Sequence, residues 1–164
     1  DLIPKCGMKV RTFNFQDMKD NWEARLMVEQ FCAVPAVERV RHDEDFVKHI
    51  QDILDISNHE YGKCIADFTK ENFNLLTEHD RMLHTELVKC SRNQQIMNMY
   101  NSLNAHSCMF AGYGCHTPKT LRQVQDQHTE IVNQLLLCDV DGLRKALESH
   151  IYSTVQIYRS AWKE

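Results

Sequence analysis

The sequence predicts an all-α domain, folded as an antiparallel bundle of six or seven helices. Only five glycines and three prolines interrupt its 164 residues. Long runs place apolar residues at intervals of three and four, which is the period of an amphipathic helix. Stretches that alternate apolar and polar residues, as half-buried strands do, are nearly absent. Because the chain is long enough to bury one core, we expect a single helical domain.

The first two helices are predicted from their apolar spacing and their ends. The first begins near Asp17, and Pro35 is expected to kink or restart it, because an interior proline removes a backbone donor and clashes with the preceding turn. Asp43 is the expected N-cap of the second helix, which carries apolar residues at helical spacing from Phe46 to Leu54.

Four further helices complete the predicted bundle. The third covers about residues 63–90. The Ser-Arg-Asn turn at 91–93 opens the fourth, which is expected to end near residues 111–116, where two glycines break the pattern. A threonine followed by a proline opens the fifth helix, over residues 117–137. The sixth spans about residues 141–158, and short turns between these helices predict antiparallel neighbours.

Composition and charge exclude some classes of function for this chain. A net charge of -4, spread along the sequence, does not provide the basic surface of a nucleic-acid-binding domain. No apolar run reaches the roughly 20 residues that span a bilayer, and the N-terminus lacks a signal-peptide pattern. We therefore expect a cytoplasmic protein with no membrane partner. Residues 1–15 are interpreted as a linker from an absent N-terminal domain, with the helical domain over residues 16–164.

The seven cysteines predict free thiols rather than a disulfide framework or a zinc finger. Their number is odd, no two are spaced as a CxxC pair, and most lie within apolar helical runs. Buried free thiols of this kind are typical of proteins in a reducing compartment.

A carboxylate and an imidazole share the apolar face of the predicted third helix. Asp80 and His84 are four residues apart, so both project from the face that carries Leu76, Leu83 and Leu87. A charge on a core-facing stripe requires a partner. The pair therefore marks this face as part of a candidate site.

Two further histidines are expected at a common level of the bundle. His128 and His150 lie among apolar residues of the fifth and sixth helices, and both are predicted to face inward. They are 22 residues apart with the turn near the midpoint. About 15 Å of helix therefore leads from each histidine to the turn, which brings the two imidazoles to the same height.

Asp80, His84, His128 and His150 together predict an internal pocket for a divalent metal ion. Such nitrogen and oxygen donors suit zinc, nickel, cobalt, manganese or iron, with zinc or nickel as first candidates. The alternative is a buried polar network without metal, in which each group would need its own hydrogen-bond partner. The other six histidines lack this arrangement and are interpreted as structural or surface residues. They are His42, His49, His59, His79, His106 and His116.

These residues resemble a known family, the FCD domain, which is the C-terminal effector domain of the FadR subfamily of GntR-type bacterial transcription regulators. The resemblance covers about residues 16–158. The matching features are the run EARLMVE at 23–29, the pair Asp80 and His84, the run KCSRN ending at Asn93, and His128, Asp139 and His150 at matching intervals. The sequence departs from the family at Gln127, where glutamate is frequent, and at Pro35, which comes later than expected.

The resemblance implies a non-enzymatic regulatory domain. It implies that the four residues hold the metal and that a small organic acid, such as a hydroxy acid or a sugar acid, binds beside it. It also implies a homodimer and a winged helix-turn-helix domain, preceding Asp1, through which DNA is bound. DNA would therefore not contact this segment.

Two residues are candidates for binding the effector. Arg25 could grip a carboxylate through charge-assisted, bidentate hydrogen bonds. Its alternative role is a surface ion pair with Glu29, four residues further on. Asn93 could donate to the ligand or cap the fourth helix.

Two other functions would use the same metal site. A metalloenzyme would activate a bound water, but it needs a general base, and Glu130 and Glu148 point away from the adjacent ligands by the helical period. A purely structural metal would join three helices and leave signalling to other parts of the protein. Binding of an organic acid distinguishes the sensor from both.

Overall fold

The structure, a computed structural model, describes residues 2–3, 7–8, 14–103 and 112–161. Within these ranges it contains six α-helices, one 3-10 turn at Tyr113–Cys115, and the two-residue antiparallel strands β1 (Leu2–Ile3) and β2 (Gly7–Met8). The prediction of an all-α bundle is confirmed. In chain order the helices are α1 (Phe15–His42), α2 (Glu44–Ala66), α3 (Lys70–Lys89), α4 (Gln94–Ser102), α5 (Pro118–Leu136) and α6 (Val140–Ala161).

Side-chain caps set the points at which several helices begin. Asn14, Asp43 and Thr69 each accept a hydrogen bond from the backbone amide three residues further on, at 2.8, 2.9 and 3.2 Å. Thr117 and Thr120 form a reciprocal capping box at the start of α5, with a proline in its first turn. The predicted caps of the second and fifth helices are confirmed.

The first helix does not restart at Pro35. It continues to His42, although an interior proline costs about 3 kcal/mol. Ala33, Ala36 and Val37 flank the proline and are almost fully buried in the core. Burial on both sides of Pro35 holds the two halves of α1 in one helix.

The predicted start of the third helix, near Lys63, is wrong. The second helix continues to Ala66, because Tyr61 and Cys64 remain buried in the core near its end. The break falls instead at residues 67–69, which contain neither glycine nor proline, and α3 starts after the cap at Thr69.

The fourth helix ends at Ser102, earlier than the predicted end near residues 111–116. Residues 104–111 lie outside the described part of the chain. Within the predicted boundary, only residues 112–116 can therefore be compared with the structure. The predicted linker over residues 1–15 also lies largely outside the described residues.

The long helices enclose an interior in which the inward polar residues meet. Helix α1 packs against α6 and α3, α2 packs against α3 and α5, and α5 and α6 form a hairpin. Trp22 of α1 meets Tyr158 of α6 edge to face, with ring centroids 4.6 Å apart. A smaller apolar cluster joins α4 to α1 and α3. Its buried members are Val28, Cys32, Val88 and Tyr100.

Two further predictions can be compared with the described residues. The five cysteines within them are free, as predicted, whereas Cys6 and Cys108 lie outside the described ranges. Three of the five are buried. None of the helices in the described ranges combines the length and the apolar character that crossing a membrane requires.

Truncating a buried leucine of α6 should destabilise the bundle. Leu147 is 0% exposed, so we expect Leu147→Ala to lower the free energy of unfolding by about 2 to 5 kcal/mol, through lost burial and the cavity left behind. Denaturant unfolding followed by helical circular dichroism measures this loss. The control is Leu137→Ala, because Leu137 is 72% exposed and its truncation should change stability by less than about 0.5 kcal/mol. Equal losses in the two variants would contradict the assigned core.

Candidate metal and ligand site

Four side chains from three helices converge in the interior of the bundle. Asp80 and His84 lie one turn apart on α3, His128 lies on α5, and His150 lies on α6. All four are buried, and one ligand atom from each lies within 4.8 Å of the others. The α5–α6 hairpin brings the rings of His128 and His150 to a centroid distance of 4.6 Å.

The separations of these ligand atoms match those around one metal ion. His84 Nε2 lies 3.3 Å from His128 Nε2, and His128 Nε2 lies 2.9 Å from Asp80 Oδ1. Two neighbouring ligands with metal bonds of about 2.0 to 2.1 Å stand about 2.9 to 3.4 Å apart, from octahedral to tetrahedral angles. These two separations therefore fall within the range found in a coordination sphere.

Several atoms of the cluster lack a hydrogen-bond partner. Both carboxylate oxygens of Asp80 and the Nδ1 of His150 are buried and make no hydrogen bond. Although Asp80 Oδ1 lies close to His128 Nε2, the contact lacks hydrogen-bonding geometry. Leaving a buried polar atom unpaired costs about 1 to 3 kcal/mol. A bound cation would satisfy the carboxylate oxygens, so the residues present fit a metal.

Neighbouring side chains orient two of the imidazoles toward the cluster. His84 Nδ1 lies 2.9 Å from Glu29 Oε2, and because a carboxylate can only accept, this nitrogen carries the proton. The lone pair of His84 is then on Nε2, which faces the cluster. The hydroxyl of Tyr61 lies 3.4 Å from His128 Nδ1 and positions the second ring in the same way.

Glu29 is the most heavily bonded carboxylate of this region. It accepts hydrogen bonds from Arg25 Nε at 2.6 Å and from the Tyr100 hydroxyl at 2.9 Å, as well as from His84. Burial disfavours its charged form, but attraction to Arg25 and His84 outweighs burial and holds the pKa of Glu29 well below its ordinary value. Arg25 and Glu29 do form the i, i+4 pair considered from the sequence. The pair is buried, however, and does not lie at the surface.

The buried charges near the cluster do not cancel. Burial disfavours the charged form of Asp80, but attraction to His128, His84 and Arg25 outweighs it and keeps the pKa of this carboxyl well below its usual range. Burial lowers the pKa of both His84 and His150, and Arg25 contributes to each shift, so these rings are neutral at neutral pH. The two buried carboxylates, Asp80 and Glu29, therefore face the single guanidinium of Arg25.

The two predicted effector residues lie in different places. Arg25 lines a small cavity of about 20 Å³ beside the cluster, and its Nη2 makes no hydrogen bond, although it lies 3.9 Å from Asp80 Oδ2. Asn93 is exposed at the start of α4, where its side-chain oxygen accepts from the amides of Gln95 and Ile96 at 2.9 and 3.3 Å. The structure thus gives Asn93 a capping role outside the lining of the cavity.

Sequence reasoning missed four polar residues of this region, which are Glu29, Tyr61, Tyr100 and His116. Glu29 lies on the buried face of α1, and the rule that singled out Asp80, a carboxylate on an apolar stripe, would have found it. Tyr100 and His116 carried no such signal. His116 follows the 3-10 turn, where no helical period applies, and its side chain reaches the same cavity as Arg25.

Among the described residues, no carboxylate beside the cluster is free to act as a general base. Glu130 and Glu148 are exposed on the outer faces of their helices, as the helical period predicts. Glu29 is close but already accepts three hydrogen bonds. The arrangement can bind and hold a ligand, but none of these carboxylates is free to accept a proton from an activated water.

Removing the charge of Glu29 should destabilise the metal-free protein strongly. Glu29→Gln leaves the buried Arg25 guanidinium without its ion-pair partner, which costs about 3 kcal/mol or more. Urea unfolding in the presence of a chelator measures the loss. Glu23→Gln is the matched control on the same helix, because Glu23 pairs with Lys19 at the surface, and its stability should stay close to that of the unmodified chain. A similar stability for both variants would contradict the proposed importance of the buried pair.

The stability of the metal-free protein should fall as the pH drops below about 6.5. Burial lowers the pKa of His84, of His150 and of His116, the last to about 4, from an ordinary value of 6.5. Below pH 6.5 the unfolded chain binds protons that the folded chain resists, so stability is full above this pH and is lost toward the folded pKa values. Urea unfolding at a series of pH values measures the trend. A constant free energy of unfolding from about pH 8 to about pH 5 would contradict it.

Comparisons with known proteins agree with the fold. The sequence matches the FCD domain family over residues 20–153. A search of curated protein sequences gave no match. The fold is similar to the crystal structure of a GntR-family transcriptional regulator from Pseudomonas syringae pv. tomato str. DC3000, with a TM-score of 0.61 and 16% sequence identity. That alignment covers 98% of this chain and 62% of the other. Because the family match spans most of the sequence, the chain belongs to the FCD domain family, whose members are regulatory domains and not enzymes.

Proposed function

We propose that this chain is the effector-sensing domain of a GntR-type transcription regulator of the FadR subfamily. In this proposal, Asp80, His84, His128 and His150 bind a divalent metal ion, and a small organic acid binds beside it. The observation that carries the proposal is the convergence of four buried ligand atoms, one from each residue, within 4.8 Å, together with the two unpaired carboxylate oxygens of Asp80. Family membership supports the regulatory role.

The charges around the cluster favour an acid as the effector. Asp80 and Glu29 outnumber Arg25 by one negative charge. A divalent ion would change this surplus to one positive charge, and a single bound carboxylate would then neutralise the buried site. Arg25 Nη2 lies at the cavity without a hydrogen bond and can donate to that carboxylate.

Zinc or nickel is the metal that suits this donor set. Three imidazole nitrogens and one carboxylate oxygen, without thiolate, bind either ion well. A five- or six-coordinate ion would keep one or two positions for the effector or water. Glu29 and Tyr61 would hold His84 and His128 in the orientation that coordination needs.

The small volume of the cavity supports a sensor whose helices move when the effector binds. This volume of about 20 Å³ is close to the volume that a cavity needs to hold a single water molecule. An organic acid therefore requires the walls to move apart, and these walls belong to α1, α2, α3, α5 and α6. A ligand that binds the open bundle better than the closed one shifts the population of conformations.

Control of DNA binding completes the proposal. The chain spans 62% of the length of the GntR-family structure that it matches. We propose that a winged helix-turn-helix domain in the remaining length binds DNA, and that the full regulator is a homodimer. The shift in bundle conformation would change the placement of the two DNA-binding domains, provided that the acid binds the two states with different affinities.

Metal analysis of site variants tests the proposed ligands. The purified chain should contain close to one zinc or nickel ion, and Asp80→Ala and His150→Ala should lower metal affinity by orders of magnitude while the chain stays helical. His49→Ala is the control, because His49 is exposed on α2 and should leave the metal content unchanged. Full metal content in both site variants would refute the assignment.

Calorimetric titration with hydroxy, sugar and dicarboxylic acids tests the sensor function. We expect one acid to bind the metal-loaded chain and to bind no longer after chelation. Metal content without binding of any acid would instead support a structural metal.

A further inference from the structure

The segment before α5 contributes a side chain to the cavity beside the metal cluster. His116 follows the 3-10 turn, and its ring packs between Phe73 of α3 and Tyr158 of α6, with centroid distances of 5.4 and 5.5 Å. Gly112 lets this segment approach α6, because a side chain at that position would overlap the Tyr158 ring. Two aromatic rings therefore fix the position of the imidazole.

One nitrogen of His116 is buried at the cavity and makes no hydrogen bond. Its Nδ1 is inaccessible to solvent and has no partner, whereas the residue as a whole is partly exposed. His116 is not among the four residues whose ligand atoms converge. A metal bound by those four residues would therefore leave Nδ1 of His116 unpaired. A buried polar atom without a partner calls for a ligand or a water.

His116 presents a neutral imidazole to the cavity. Burial lowers its pKa to about 4, and the distant Asp80 carboxylate only partly offsets this. A neutral imidazole has one nitrogen that donates and one that accepts. A hydroxyl group both donates and accepts, so it can pair with Nδ1 in either tautomer.

The rest of the cavity wall offers few unpaired polar atoms at this end. The wall near His116 is apolar, with Phe73 and Leu121 among its members. The hydroxyls of Thr77 and Thr154 already donate to backbone carbonyls of their own helices, at 2.8 and 2.9 Å. Away from the cluster and Arg25, His116 is therefore the group in the described lining best placed to recognise a second polar group of a ligand.

We propose that His116 determines the specificity of the effector site by hydrogen-bonding a hydroxyl group of the bound acid through Nδ1. The inference rests on the proposed function, because it assumes an acid whose carboxylate binds at Arg25 and the metal. It adds that the effector is a hydroxy acid. An acid without the hydroxyl would leave the buried Nδ1 unpaired, and sites built to pair a polar group discriminate strongly against ligands that lack it.

Calorimetry with matched pairs of acids tests the inference. The zinc-loaded chain is titrated with glycolate and acetate, lactate and propionate, malate and succinate, and gluconate and hexanoate. We expect at least one hydroxy acid to bind about tenfold or more tightly than its partner without the hydroxyl. In His116→Phe this preference should disappear, through weaker binding of the hydroxy acid alone. Zinc content should stay unchanged.

A conservative variant and a surface control separate recognition from folding. In His116→Asn the side-chain amide carries a polar atom close to the position of Nδ1, so part of the preference for the hydroxy acid should return. His49→Phe places the same substitution on the exposed face of α2 and should keep the full preference.

The outcomes distinguish this inference from the proposed function. If the zinc-loaded chain binds none of these acids, both are overturned. If it binds an acid and His116→Phe retains the preference for the hydroxyl, only the inference is wrong. Equal weakening of both acids of a pair in His116→Phe would indicate that His116 only supports the fold, and it would also overturn the inference.

Discussion

The rest of the site depends on the hydrogen bonds that the buried carboxylate of Glu29 accepts. It joins α1 to α3 through His84 and to α4 through Tyr100, and it neutralises Arg25 within α1 itself. A charge in an apolar interior is tolerated only when it is paired and hydrogen-bonded, and Glu29 satisfies both conditions with three donors. Because it also fixes which nitrogen of His84 carries the proton, the same carboxylate sets the direction of a metal-binding lone pair.

The second carboxylate of the interior stands in a contrasting environment. Asp80 has no hydrogen bond to either oxygen, and its closest positive neighbour is Arg25, at 3.9 Å. One site therefore combines a satisfied carboxylate that orients a ring with an unsatisfied one that needs a cation. Both carboxylates are buried, so bulk water does not compensate their charge. This difference in hydrogen bonding separates the supporting role of Glu29 from the metal-binding role that we propose for Asp80.

The helical pattern of the sequence was sufficient for the fold class but not for every boundary. Amphipathic spacing and side-chain caps are local properties, and the caps at Asp43 and Thr117 lie where these properties predicted. Pro35 has a strong local effect, yet burial of the flanking turns keeps α1 continuous. The break between α2 and α3 has no glycine or proline to mark it. It is set by packing, since the end of α2 remains in the core through Cys64.

The sequence by itself determined that Asp80 and His84 share an inward face, because a separation of four residues fixes this on any helix. It also predicted a common height for His128 and His150, because their spacing about a turn is a property of a helical hairpin. Only the tertiary structure decided which side chains surround these four. Glu29 reaches His84 across 55 positions of sequence, and His116 enters the cavity from a segment without periodicity. Such contacts depend on how helices pack against each other, and the period of a single helix carries no information about its neighbours.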